Sequence, residues 1–237
     1  MREKFKCTHN PKIMNVKIVS ITQSLVEAIT MTAEELIVYT ARVSNPSNQM
    51  NTESSERLIN YLVQNKHWSP FEMAHLCVEV KTSRAIAAQI LRHWSLAVQE
   101  FSQRYAEVTE MEPVQIRRQA ASNRQSSTEE FDPIISYPTV QGMTDMPASE
   151  AIESHLFTSQ ELYRNLLAAD VAKECARMIL PLTTQTTMYL NGDIRTWIFY
   201  LLIRTDAHAQ LEHRQVATAI LDIFRQQFPT ISKALEL

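Results

Sequence analysis

Polar and apolar positions change period several times along this chain, and each change predicts an element. Residues 15–22 (Asn-Val-Lys-Ile-Val-Ser-Ile-Thr) alternate as in a strand. Thr32, followed three positions later by Glu35, forms a capping-box pattern. It predicts a helix through Leu36, Ile37 and Ala41 that ends near Ser44, Asn45 and Pro46. Thr52 or Ser54 can cap a second helix with Leu58, Tyr61 and Leu62 on its apolar face. Pro70 biases Ser69 toward an extended conformation, so residues 67–72 read as a turn. Leu76, Val78 and Val80 then alternate with Cys77, Glu79 and Lys81, the pattern of a half-buried strand. Thr82 or Ser83 caps a helix running into Arg92, with Gln89, Arg92 and His93 on one side.

The periodicity fades after Tyr105. Residues 115–146 are polar and interrupted by Pro133 and Pro138, which predicts a long loop or insertion. Ser149 starts a long helix through Leu156, Leu162, Leu166 and Leu167, and Asp170 caps a second one that stops at Pro181. Residues 183–190 are β-prone. Asp193 caps a helix through Trp197 and Leu201, and a last helix covers residues 207–228. Residues 1–14 read as a loose leader. The pattern is that of an α-rich α/β chain (α+β in arrangement), one domain over residues 1–237, with strands early and helices late.

Composition narrows the function classes. The net charge of −3 argues against long nucleic acid as a partner, because a phosphate-tracking surface needs a basic excess. The apolar run 198–203 is far short of the roughly 20 residues that span a bilayer, so no membrane role is expected. The N-terminus lacks the apolar core of a signal peptide. Cys7, Cys77 and Cys175 show no pairing pattern, which suggests a reducing compartment and a cytoplasmic location. Only Gly142 and Gly192 are glycines, so neither a dinucleotide fingerprint nor a Walker A loop can be written. A nucleotide cofactor would have to be held another way.

The densest chemistry lies in residues 89–105. Arg92, His93, Glu100, Ser102 and Arg104 occur there with Gln89, Gln99 and Gln103, directly after an apolar run. Arg84, Arg177, Arg195, Arg204 and Arg214 lie on or beside predicted helices. Several guanidinium groups among apolar neighbours point to an anionic ligand such as a phosphate. Arg204, at the end of the apolar run 198–203, reads either as a helix C-terminal cation or as an anion ligand. Ser102 has no nucleophile elbow and reads as a hydrogen-bonding residue. Cys175 reads as a small buried residue. His208 and Glu212 are four apart, which leaves a metal-dependent hydrolase imaginable. Without an HExxH pattern, no metal site is expected.

These residues resemble the signature of the flavin-dependent thymidylate synthases (the ThyX family). Arg92-His93-Trp94 followed by Ser102 is similar to that family's Arg-His-Arg and downstream serine, and residues 100–105 resemble its Glu-x-Ser-x-Arg-Tyr. Residues 41–44, 67–72, 176–181 and 204–212 resemble further family motifs in the same order. Residues 119–126 resemble a segment of short, partly viral members, which adds a virus-encoded protein acting in a host cell to the expected sources.

The resemblance implies a ThyX-type fold assembled as a homotetramer with FAD at subunit interfaces. It implies reductive methylation of dUMP to dTMP, with methylenetetrahydrofolate giving carbon and NADPH giving electrons through FAD. Gln89, Ile90, Leu91, Arg92, Glu100, Phe101, Ser102, Gln103, Arg104, Arg177 and Arg204 match dUMP-binding positions. Arg204 matches the residue that stabilises anionic uracil, an electrostatic catalytic role. Ser69, Arg92, His93, Trp94, Glu100, Asp193, Ile194, Arg195 and Phe199 match flavin-contacting positions, and Ser44 and Glu72 are further candidates. Trp94 stands where the signature has a third basic residue, and Asp193 and Phe199 stand where many members have Asn. Trp94 is therefore expected to alter FAD affinity. A nucleotide-binding homologue with weakened or lost flavin binding is the alternative reading.

Overall fold

The alternating stretch at residues 15–22 is a strand in the computed structural model, which describes residues 15–26, 30–108 and 110–237. The predicted leader lies outside the described residues. In chain order the elements are β1 (Asn15–Ile21), α1 (Ala33–Ala41), α2 (Ser55–Gln64), β2 (His75–Ser83), α3 (Arg84–Ile90), β3 (Ala97–Glu100), β4 (Arg117–Gln119), β5 (Ser127–Glu130), β6 (Ile134–Thr139), β7 (Gly142–Pro147), α4 (Ala148–Ala168), α5 (Lys173–Ala176), β8 (Gln185–Asp193), α6 (Ile194–Arg204), α7 (Leu211–Gln227) and α8 (Pro229–Ala234). The chain is thus mixed α/β, with eight α-helices among the described residues and small sheets. It divides into two compact units, one of residues 15–80, 88–100 and 187–237, the other of residues 81–87 and 101–186.

The first unit is built on a four-stranded sheet of order β1-β2-β8-β3. β3 and β8 run antiparallel, with Ala97 opposite Asn191 and Glu100 opposite Met188. Strand β2 buries Leu76, Val78 and Val80 and leaves Cys77 and Glu79 half-covered, as its alternation predicts. The capping box of α1 forms as read: Thr32 Oγ1 accepts from Glu35 N at 3.2 Å, and Glu35 Oε2 accepts from Thr32 N at 2.8 Å. On α2 the buried positions are Ile59 and Leu62, while Tyr61 is exposed, so the apolar face is rotated from the expected one. Helix α6 buries Trp197, Ile198, Tyr200 and Leu201, and Trp197 Nε1 donates to Leu76 O at 2.9 Å. A Cβ on Gly192 would meet Leu96 Cδ2 at 2.8 Å and Thr196 Cγ2 at 3.2 Å, so a side chain here would require the Leu96 side chain to shift. Helix α7 completes the core with Val216, Ala217, Ile220 and Phe224.

The second unit holds the stretch read as a loop, and here the structure differs. Residues 115–146 carry two antiparallel hairpins, β4–β5 and β6–β7. The β6–β7 pairing runs from Ile134↔Pro147 to Thr139↔Gly142, closed by a two-residue turn with Gly142 at φ 113°. Most of its side chains are exposed, so no hydrophobic alternation marks these strands in the sequence. Helix α4 starts as predicted, with Ser149 N donating to Asp132 Oδ1 at 2.9 Å. Asp170 does not cap the next helix. At φ 63° it is a left-handed residue that follows α4, and only the single turn α5 comes after it. Tyr163, Val108 and Ala176 form a small core, with Leu166, Leu167 and Leu180 packed around it.

Candidate functional site

The polar stretch after α3 is not a continued helix. Helix α3 ends at Ile90, and Arg92 and His93 lie in the turn that follows. That turn is pinned by His93 N donating to Ile90 O at 2.9 Å and by Leu96 N donating to His93 O at 3.1 Å. It leads into β3, which carries Glu100.

His93 meets the end of α6. Arg204 Nε donates to His93 Nε2 at 2.8 Å, so that nitrogen is an acceptor and its proton sits on Nδ1. Burial, then the Arg204 and Arg92 guanidinium groups, hold the His93 imidazole below its ordinary pKa and favour this neutral form. Its ring packs edge-on to Tyr200, 4.9 Å between centroids. Arg204 is the last residue of α6 and is half-buried. It lies where the helix dipole favours a cation, as the first sequence reading has it, and its terminal nitrogens have no acceptor among the described residues.

Gln89 is half-buried and bonded into this group at both ends of its amide. Its Oε1 lies 3.1 Å from His213 Nδ1, and its Nε2 donates to Gln210 Oε1 at 2.6 Å. Ile90 has its side chain in the core, while Leu91 is exposed. Arg92 is exposed and has no acceptor for its guanidinium among the described residues. Trp94 is 95% exposed, so its indole is an uncovered apolar surface.

The remaining flavin-type positions lie in the same unit. Ser69 opens a short 3₁₀ turn (Ser69–Met73), and Glu72 on that turn pairs with Arg195 of α6. Phe199, one turn beyond Arg195, contacts Trp68 edge-on at 5.2 Å. Asp193 Oδ1 accepts from Thr196 N at 2.7 Å, the helix cap expected from the sequence. Ile194 is core, and its N–H donates to Ala74 O at 3.0 Å. Ser44 lines a cavity of about 420 Å³ with Arg42, Asn45, Arg57 and Tyr61.

Phe101, Ser102, Gln103, Arg104 and Arg177 belong to the second unit. Ser102 is half-buried, and its Oγ accepts from Arg104 N at 3.4 Å. Arg104 pairs with Glu174 at 3.4 Å, and Arg177 Nε donates to Glu174 O at 3.4 Å, so two expected phosphate ligands share one residue. Gln103 is buried with its Nε2 unpartnered among the described residues, an orphaned donor. Phe101 is exposed.

Two sequence expectations need correction. Arg92, Arg104 and Arg195 are exposed in the single chain, and among the described residues the buried arginine is Arg42. Arg42 clamps a loop, donating to Asn51 O and, at 2.9 Å, to Ser54 Oγ. Cys175 is exposed, because α5 is only one turn long and buries Ala176 instead. The residues that sequence reasoning passed over are Tyr200 and His213. A signal existed for His213: it lies three, four and seven positions before Val216, Ala217 and Ile220, on the buried face of α7. No group of three or more His, Cys, Asp or Glu side chains among the described residues has metal-binding geometry. His208 pairs with Asp206 at 2.7 Å.

Comparison with known proteins adds an independent line. Residues 25–230 match the family described as thymidylate synthase complementing protein. A protein of Paramecium bursaria Chlorella virus 1, named "Probable flavin-dependent thymidylate synthase", is 47% identical over 224 residues, which cover 94% of this chain and 99% of the relative. A flavin-dependent thymidylate synthase of Synechocystis sp. is 42% identical over 225 residues, 94% of this chain and all of the relative. One from Thermus thermophilus is 33% identical over 205 residues, 86% of this chain and 72% of its own.

Proposed function

The chain belongs to the flavin-dependent thymidylate synthase family, and from that premise we propose that it methylates dUMP to dTMP, with methylenetetrahydrofolate as carbon donor, NADPH as reductant and FAD as carrier. The observation that carries the reading is Arg204, oriented by His93 at 2.8 Å with its terminal nitrogens left for an anion. A guanidinium fixed by a neutral imidazole is preorganised to stabilise negative charge on a uracil ring. His93, favoured in its neutral form, accepts from Arg204 without competing as a second cation.

Gln89, Arg92 and Glu100, with the Ile90 and Leu91 backbone, are the proposed nucleotide residues of the first unit, and Phe101, Ser102, Gln103, Arg104 and Arg177 are those of the second. The orphaned Gln103 Nε2 is the kind of buried donor that a ligand oxygen or water satisfies. For FAD, the donor set fits. Arg92 and Arg195 are exposed guanidinium groups suited to a diphosphate, Ser69 adds a hydroxyl, and Trp94 and Phe199 present aromatic surface to an isoalloxazine. His93, Glu100, Asp193 and Ile194 complete the proposed cofactor set. Bound FAD would supply the redox chemistry that these side chains lack. The family match runs through both compact units, which supports one domain over residues 1–237, a ThyX-type fold and a homotetramer with FAD at its interfaces.

The test is direct. The purified protein should be yellow, oxidise NADPH in a dUMP-dependent manner and form dTMP from methylenetetrahydrofolate. Absence of dTMP with FAD supplied would refute the assignment.

A further inference from the structure

The first turn of α7 starts a chain of hydrogen bonds that can run in only one direction. Glu212 is a carboxylate and can only accept. Gln210 therefore turns its amide nitrogen to Glu212 Oε2, at 2.9 Å. Its carbonyl oxygen is left for Gln89 Nε2, at 2.6 Å. Gln89 then faces His213 with its oxygen, 3.1 Å from Nδ1, so the His213 proton sits on Nδ1. His213 Nε2 becomes an acceptor, and the Tyr200 hydroxyl donates to it at 3.1 Å. Flipping either amide would set oxygen against oxygen or N–H against N–H at the next link. His213 is fully buried and Tyr200 nearly so, which shields the inner links from competing water.

We propose that Glu212 and His213 are positioning residues that fix the amide of Gln89, so that Gln89 offers a bound nucleotide an N–H donor rather than an acceptor. Glu212 sets the direction and His213 occupies the Gln89 oxygen. With the Gln89 oxygen turned to His213, the donor left over is the second Nε2 hydrogen, which suits carbonyl and phosphate oxygens. This inference rests on dUMP being the substrate. Burial, then Arg204 and His93, lower the His213 pKa to about 3, which keeps the imidazole in the neutral form that the chain requires.

The experiment pairs histidine ¹⁵N NMR with calorimetric titration of dUMP into the FAD-loaded protein. The wild type should show one neutral His213 tautomer protonated on Nδ1. Glu212→Gln, which can face either way, should give mixed tautomers and a dUMP Kd raised about fivefold, the worth of one neutral hydrogen bond. His213→Leu should weaken dUMP similarly, while His213→Asn, which can still donate to Gln89, should stay within about twofold. In a Gln89→Leu background, His213→Leu should add nothing, because both changes remove the same link. A wild-type Nε2–H tautomer, or a folded His213→Leu variant with unchanged dUMP affinity, overturns the proposal. A wild type that binds no dUMP refutes the substrate assignment instead, and the tautomer still decides the direction of the chain.

Discussion

Arg204 terminates α6 and still reaches His93 at 2.8 Å, so one guanidinium serves a helix end and the proposed site. Arg204→Ala should lower the rate of dTMP formation by about 100-fold or more, the usual effect of losing a charge-stabilising donor, while flavin absorbance persists. Rapid-quench turnover with dUMP measures it. His213 makes a prediction about stability. Its ordinary pKa is 6.5 and folding lowers it to about 3, so between these values the unfolded chain binds a proton that the folded chain refuses. Stability is therefore lost as pH falls from 6.5 toward 3, with a His213 share of about 1.4 kcal/mol per pH unit. Urea titrations across that range should show a flatter acid limb for His213→Leu than for the wild type. Arg204, Arg92 and Gln89 could be singled out in the sequence as candidate ligand residues because charged and amide groups beside apolar runs suggest a ligand. The partners that hold Arg204 and Gln89 could not be read there. His93 to Arg204 spans 111 positions and Gln89 to His213 spans 124, and no local pattern encodes such pairs.

Elements were legible where one face is buried and one is wet. The caps of α1 and α6 and the alternation of β2 come directly from local chemistry. The β4–β5 and β6–β7 hairpins escaped because both faces are largely exposed, which removes the periodic signal and leaves only turn residues. The four-residue β3 escaped because it is short and polar. Asp193 connects this scale to the site. Asn caps a helix as well as Asp does, so Asp193→Asn should leave stability within a few tenths of a kcal/mol, whereas Asp193→Ala should cost about 1 kcal/mol. Urea unfolding measures both. Asp193→Asn also removes a negative charge from the proposed cofactor set, and flavin titration of the same variant should show tighter binding by up to about fivefold at low salt.

At the scale of the whole molecule, Trp94, Phe157, Leu162, Met178 and Leu182 are all exposed in the single chain. An assembly that covers some of them agrees with the proposed homotetramer. Light scattering should give four chains per particle, and Trp94 should be protected from iodide quenching when FAD is bound. A monomer at micromolar concentration would remove that proposal. The sheet order β1-β2-β8-β3 carries a consequence for biosynthesis. Strand β8, residues 185–193, separates β2 from β3, although both precede it in the chain by more than eighty residues. On the ribosome, β1 and β2 emerge early and wait for their neighbour until about four-fifths of the chain has been made. Nascent chains stalled before residue 185 should therefore expose an unpaired β2 edge and depend on chaperones, and those released after it should not.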